Sequence, residues 1–362
     1  MRTASSILFS PRVESQVVPN TPKLQAESAI KLSQVEGAKI YAELKKEVEA
    51  AGILERDYKY YTLLSLLVFT GFSASLYFVI ISSDFFMYLA SGLCLGFFTV
   101  QVAGLMHDCV HRSIFKSPKV NDFFGYIVSA IGGITYNDWK GNHERHHANP
   151  NAEEEDPDIN LPLLSFSRER YLSKKGVSKI LRKYQAYLYY PMGILVAFTI
   201  RVGNFVYFKK NFRYSVLWEF GIYIIGLFVW FVLPFLVFDL TKAVVLFLTI
   251  NSTAGIYLFN IFAPNHKGMP EINKDDKYSF LEQQIITARN IYGHPVTDIV
   301  YLGLNYQIEH HLFPNCPRNK LKLITPFLKK MCARMELDYT EVGIINSNRM
   351  ILKELQKIAI AA

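Results

Sequence analysis

Residues 61–106 read YTLLSLLVFTGFSASLYFVIISSDFFMYLASGLCLGFFTVQVAGLM, and Asp84 is the single charge among them. A helix of about 20 apolar residues crosses the roughly 30 Å hydrocarbon core of a bilayer. The runs 61–83 and 85–106 each meet that length, and the break Ser82-Ser83-Asp84 leaves room only for a tight hairpin. The pattern returns downstream, where 220–238 and 243–264 are again uncharged and are parted by Asp239-Leu240-Thr241-Lys242. Soluble proteins rarely bury four uncharged helices of this length. The expected fold class is therefore an all-α integral membrane protein with four transmembrane helices in two hairpins.

Flanking charge sets the orientation. Lys45, Lys46, Arg56 and Lys59 precede the first hairpin, and Arg112, Lys116 and Lys119 follow it. Arg201, Lys209, Lys210 and Arg213 precede the second, and Lys267 follows it, whereas the two tips share one lysine, Lys242. Both chain ends and the middle region are thus expected on the cytoplasmic side, as a helical cap. The formal charge of +8 comes with no basic tract or reading motif for nucleic acid, so it is assigned to this asymmetry and to anionic lipid head groups. The four Cys follow neither a zinc nor a disulfide spacing.

Three units are expected: a cytoplasmic N-terminal arm with amphipathic helices (1–57), a membrane domain (58–330) and a C-terminal cytoplasmic helical tail (331–362). Residues 1–25, with three prolines and no signal-peptide pattern, read as a loose arm. The stretch 184–208 is apolar but broken by Pro191 and Gly193. A fifth crossing there would strand the later histidines across the bilayer, so it is read as interfacial or re-entrant. Residues 120–137, with Asp122 and three glycines, are likewise not read as a span.

Seven of the nine histidines fall into three clusters: His107/His111, His143/His146/His147 and His310/His311. All lie on the expected cytoplasmic side. His107 and His111, four apart, share one helix face just past the second span. His143, His146 and His147 can point to one site from little more than a turn. His310 and His311 diverge by about 100° on a helix, so each can reach a different metal. Imidazoles suit iron or zinc rather than magnesium or calcium. Seven or more are too many for one ion of ordinary coordination. Two ions follow, and two histidine-rich ions beside lipid point to iron and oxygen chemistry. Asp108, next to His107, is placed to orient a ligand ring.

At these residues the chain resembles the membrane fatty acid desaturases, whose histidine boxes HxxxH, HxxHH and HxxHH bind a di-iron centre. The third box departs from that pattern, with Gln307 in place of its first histidine. The run Gly303-Leu-Asn-Tyr-Gln-Ile-Glu-His-His-Leu-Phe-Pro314 resembles the front-end acyl desaturases, which act between an existing double bond and the carboxyl end. Some sphingolipid desaturases share it. The likeness covers roughly residues 60–330. It implies two iron ions, an eighth ligand at His266 in Asn265-His266-Lys267-Gly268, and a site role for Gln307 and Asn265. His294 falls outside the boxes and is read as a residue near the site or on the surface. The implied reaction removes two hydrogens from neighbouring methylenes, with O₂ and two electrons, to give a cis alkene of delta-5 or delta-6 type.

The implied substrate is a fatty acyl chain on CoA, a lipid or a carrier protein. No cytochrome b5-like segment is read in the first 60 residues, so an external donor is expected, ferredoxin before cytochrome b5. The implied location is a bacterial inner membrane. The acids Glu153, Glu154, Glu155, Asp156 and Asp158 read as a solvated loop. The run Arg318, Lys320, Lys322, Lys329 and Lys330 reads as a surface facing lipid. Trp139 and Asn142 are read as packing against the substrate head, with small and aromatic residues of the first hairpin and of 123–136 lining its channel. Two other functions compete. A membrane di-iron hydroxylase would share the boxes but add oxygen to its product. A histidine-rich metal transporter would carry ionisable ligands within its spans, and these spans have essentially none.

Overall fold

The computed structural model describes residues 32–361 apart from 160, 162 and 274; the loose arm expected over 1–25 lies outside the described residues. Its principal helices are α1 (Gln34–Ala50), α2 (Tyr58–Ile81), α3 (Phe85–Val110), α4 (Pro118–Gly132), α5 (Tyr136–Ala148), α6 (Gly176–Gly193), α7 (Val196–Lys210), α8 (Leu217–Val237), α9 (Leu240–His266), α10 (Phe280–Ile286), α11 (Gln307–Leu312), α12 (Leu321–Arg334) and α13 (Ile344–Ala361). α2, α3, α8 and α9 are long and apolar enough to cross a bilayer, and the chain is a multi-pass integral membrane protein. Large side chains such as Leu63, Leu66, Phe78, Ile225, Phe228 and Leu236 point outward from α2 and α8. In lipid that exposure costs nothing, because the side chains meet hydrocarbon rather than water, and the helices satisfy their own backbone.

The acids in the breaks start the returning helices. Asp84 accepts from Met87 N and Asp239 from Lys242 N, each satisfying an orphan first-turn donor. Lys242, the lysine of the tips, donates 2.6 Å to Ser82 O at the end of α2 and lies over the Phe238 ring. That contact ties the two hairpins together.

α3 is the central span, and its crossing with α9 is close because small residues line it. A Cβ on Gly96 would meet Ile250 O at 2.8 Å, and one on Gly92 would meet Thr249 Oγ1 at 2.5 Å. The broken segment packs on the other side of α9. α6 and α7 bend by 85° at a break of few residues. A Cβ on Gly255 of α9 would lie 2.6 Å from Gly193 O and 2.7 Å from Ile194 O, at the apex of that bend. The histidines before this segment and those after it meet in one cluster. Two spans, α8 and α9, intervene, so α6–α7 enters and leaves on one side.

α4 is not a span. Pro118 opens it and Gly133, at φ 62°, ends it in the left-handed region. Its strongly amphipathic sequence packs Val128, together with the Tyr136 ring from the start of α5, against α2 and α3. α1, α10, α11 and α12 form a separate apolar core around Leu281, Ile308, Leu312, Ile324 and Leu328. A two-residue parallel pair, Asn290–Ile291 with Glu341–Val342, completes that cap.

Candidate metal centre

Four elements carry the histidines to one edge of the bundle. His107 lies in the last turn of α3, and His111 is its C-cap residue. α5 supplies His143, His146 and His147. Its N-terminus is capped from outside: Asn137 N and Nδ2 donate to the two carboxylate oxygens of Glu219 on α8. Thr135 N donates to Asn204 Oδ1 of α7, whose Nδ2 donates to Asp138. His266 ends α9. α11, six residues long and buried throughout, carries His310 and His311. Such a short helix has little stability of its own. Its backbone is held by Ile308 N donating to Asn290 Oδ1. Buried Glu309 accepts from Asn290, Thr325 and Tyr339 at 2.6–2.7 Å.

The histidines sort into two groups whose donor atoms lie within 4.8 Å of one another: His107, His111, His143 and His310, and then His146, His266 and His311. The angular offset between neighbours on α11 sends His310 to the first group and His311 to the second. His147 sits between them. Its ring stacks on His311 at 4.2 Å and lies 4.5 Å from that of His111, and its Nε2 is 3.1 Å from His143 Nε2.

Partners on the outer nitrogens fix the tautomers. His266 Nδ1 faces Thr287 O at 3.0 Å, which can only accept, so this nitrogen carries the proton. Gln284 Nε2 donates to His147 O, which leaves Gln284 Oε1 to accept from His311 Nδ1 at 2.7 Å. His146 Nδ1 donates to Asp156 Oδ2 at 2.9 Å. On the neutral rings the Nε2 atoms then carry no proton; His266 Nε2 faces the Gln307 amide at 2.9 Å and also lies 3.1 Å from His311 Nε2 and 3.3 Å from His146 Nε2. Lone pairs so placed repel, and a cation among them removes the repulsion. In the first group, His107 Nε2 and His310 Nε2 are buried with no partner among the described residues. The side chains present therefore fit a pair of metal ions bound through Nε2.

Burial and the neighbouring rings push His111, His143, His147, His310 and His311 well below the ordinary histidine value, which keeps them neutral and able to ligate. His146 goes the other way: burial opposes its charge, but Asp156 outweighs it and raises the pKa. Burial likewise opposes the charge of Asp156, whose pKa is nevertheless held down to about 2, first by the hydrogen bond from His146. A carboxylate behind a ligating ring is a recurrent way to orient it.

Asp156 corrects the reading of its stretch as a solvated loop. It is buried, accepts from Asn151 N at 2.8 Å and holds His146, while Asp158 stays exposed with an oxygen 3.7 Å from the same ring. Arg318 is a second correction. It does not face lipid but is buried, with Nε 2.6 Å from Asp108 Oδ2 and Nη2 on Gly104 O. Asp108 in turn places Oδ1 3.2 Å from His107 Nδ1. A pairing of Asp156 with His146, ten residues apart, was the one signal available, since no periodicity distinguishes it from its acidic neighbours.

Gln307 Nε2 lies 2.9 Å from His266 Nε2, and its Oε1 accepts from Asn265 Nδ2. Asn265 also donates to Ile261 O and Leu304 O, so it positions Gln307. His294 is remote, an exposed N-cap that accepts from Val296 N. Trp139 stacks on His143 at 4.4 Å, whereas Asn142 binds its own helix through Asp138. A narrow apolar cavity leads from His107 and Trp139 into the bundle between α3, α7 and α9. Its lining takes Thr99, Ala103 and Met106 from the first hairpin and Gly132 and Ile134 from the segment after it.

Fold and site together define an all-α membrane protein that gathers eight imidazoles, seven in two adjoining donor groups and His147 between them, beside an apolar cavity. The Fatty acid desaturase family model matches residues 83–343, and the chain belongs to that family. Among its relatives, the acyl-lipid (9-3)-desaturase of Borago officinalis is 26% identical over 347 residues, covering 90% of this chain and 76% of that one. The protein of the same description from Physcomitrium patens is 30% identical, covering 88% of this chain and 63% of that one. A delta 8-(E)-sphingolipid desaturase of Kluyveromyces lactis is 27% identical, covering 88% and 59%.

Proposed function

We propose that the chain is an O₂-dependent acyl desaturase of the front-end type, forming a cis double bond toward the carboxyl end at a delta-5 or delta-6 position. The observation that carries the metal assignment is the convergence of bare Nε2 atoms whose Nδ1 partners are already fixed. In this reading His107, His111, His143, His146, His147, His266, His310 and His311 ligate two irons. Bound there, the irons supply the oxidising power that turns a CH₂–CH₂ pair, O₂, two electrons and two protons into an alkene and two waters. The protein positions the chain and excludes water. Asp156 and Asp108 orient ligand rings, and Gln307, held by Asn265, stands beside His266. The apolar cavity takes the acyl chain against Trp139, so that two adjacent methylenes face the metals.

The electrons come from an external carrier of ferredoxin type that docks on the side bearing the histidines. That side is cytoplasmic, with both chain termini, and the membrane unit runs over 58–330. The front-end assignment is supported by Gln307 in the third box. The relatives' names span several positions, so product analysis decides it. The chain is to be expressed in a host with a donor and fed defined fatty acids, and any new double bond located by mass spectrometry. A double bond at a fixed count from the carboxyl end, abolished by His146→Ala, is the expected result. A product that gains oxygen makes it a hydroxylase, and folded protein that takes up no iron defeats the metal assignment.

A further inference from the structure

Among the described residues lining the cavity that opens on His107 and Trp139, Arg201 is the one charged side chain. It stands on α7, inside the re-entrant element. Nη1 donates to Ala197 O at 2.7 Å and Nη2 to Gly132 O at 3.3 Å, and the guanidinium lies 5.0 Å over the Phe231 ring. A guanidinium has five N–H donors. Those two bonds leave three without a partner among the described residues, the buried Nε–H among them. None of the ion pairs among the described residues includes it.

The buried arginines, Arg318 and Arg289, differ from half-buried Arg201. Arg318 is matched by Asp108. Arg289 spends Nε on Pro264 O and Ser347 Oγ, Nη1 on Met269 Sδ and Nη2 on Lys267 O. An intramembrane cation is costly and ordinarily has an anionic or carbonyl partner. For Arg201 the protein supplies two carbonyls and leaves the rest of the donor set beside an apolar cavity.

We propose that Arg201 receives the carboxyl oxygen at the head of an acyl chain, the hydrocarbon of which runs through the cavity to His107 and Trp139. This rests on the acyl-substrate reading above and makes the counting rule physical. With the head fixed at Arg201, the carbons that reach the histidines are numbered from the carboxyl end. The ligand chemistry is a carboxylate or an ester carbonyl, and the probes separate the two.

The test is binding of radiolabelled oleate, methyl oleate and 1-octadecene to the iron-free full chain in nanodiscs of saturated phosphatidylcholine. Wild type is expected to bind at least one oxygen-bearing probe roughly tenfold or more tighter than the hydrocarbon, the usual scale of a charge-assisted hydrogen bond. Oleate alone being favoured assigns a carboxylate; both being favoured assigns the carbonyl oxygen. Arg201→Met is expected to bring that ratio to about one with 1-octadecene binding unchanged, and Arg201→Lys to keep most of it. Ala254→Leu, which narrows the cavity without touching Arg201, should weaken all three probes alike. Should the Met variant not fold, Arg201→Gln carries the comparison. An equal ratio in wild type, or a ratio that survives loss of the charge, overturns the proposal. Failure to form a double bond in the lipid assay would instead overturn the desaturase reading and leave this ratio untouched.

Discussion

Asp156 shows how little of a site's outer layer is written in composition. Glu153, Glu154, Glu155, Asp156 and Asp158 are chemically near-equivalent in sequence, but a backbone bridge between Ala152 and Ile272 and the bond from Asn151 N turn only Asp156 inward. Removing a carboxylate behind a ligating ring typically lowers metal affinity 10–100-fold. Asp156→Asn is expected to show that loss in iron-content titrations against a competing chelator, and Glu154→Gln to show none. The Asp108–Arg318 pair makes a second residue-scale case. Breaking a buried pair from one side costs about 3–5 kcal/mol, because the remaining charge is left without a partner. Arg318→Met should therefore lower the melting temperature sharply, and Asp108→Asn added to it should restore part of the loss. A melt of the double variant no better than that of Arg318→Met would mean that the charge of Asp108 is not what Arg318 compensates.

At the scale of elements, glycines decide how closely helices approach, and their sites separate function from tolerance. Gly255 faces two carbonyls at the apex of the re-entrant segment, and neither backbone atom can move aside as a side chain would. Gly255→Val is expected to displace α6–α7 at an overpacking cost of about 1–3 kcal/mol or more, seen as lower melting and aggregation on size-exclusion chromatography. Gly221 on α8 has nothing within 4 Å of its would-be Cβ. Gly221→Ala should be neutral or stabilising by up to about 1 kcal/mol, since alanine loses less chain entropy in a helix. The hairpins were legible because a charge-free run of span length is a strong signal that tertiary context rarely overrides. The 85° bend was legible only as a doubt, through Pro191 and Gly193. What resolves it is a contact between Gly193, Ile194 and Gly255, which no local pattern encodes. Arg318 was misread for the same reason: in a basic run only its position against α3 makes it a core residue.

Over the whole molecule, the decisive property is that every ligand candidate ends on one side. His107 and His111 follow two spans, His143–His147 lie after α4, and His266, His310 and His311 come after two more spans, yet their rings touch. That requires an even number of crossings between the groups, so α6–α7 must turn back within the membrane. The sequence located seven of these imidazoles as clusters, while the contact between clusters emerges only once the bundle is closed. Closure also fixes what the bare nitrogens demand, and iron removal should loosen this edge more than the far tips. A chelated sample is expected to gain hydrogen exchange in α5 and α11 while the Ser82–Asp84 turn stays unchanged, because the repelling Nε2 atoms sit in the former and Lys242 ties down the latter. The same parity sets the topology. The tips lie opposite the histidines, and the lysine- and arginine-rich flanks are what support the proposed cytoplasmic placement of the histidines. Ser83→Cys, at the first tip, is expected to react with an impermeant maleimide in intact cells, and Lys353→Cys, on α13, only after the membrane is opened. The four native cysteines are buried or, for Cys94, on a membrane-spanning helix, so the unsubstituted chain sets a low background. Labelling of Lys353→Cys from outside would reverse the orientation, and labelling of both from the same side would remove a span and with it the parity on which the single metal centre depends.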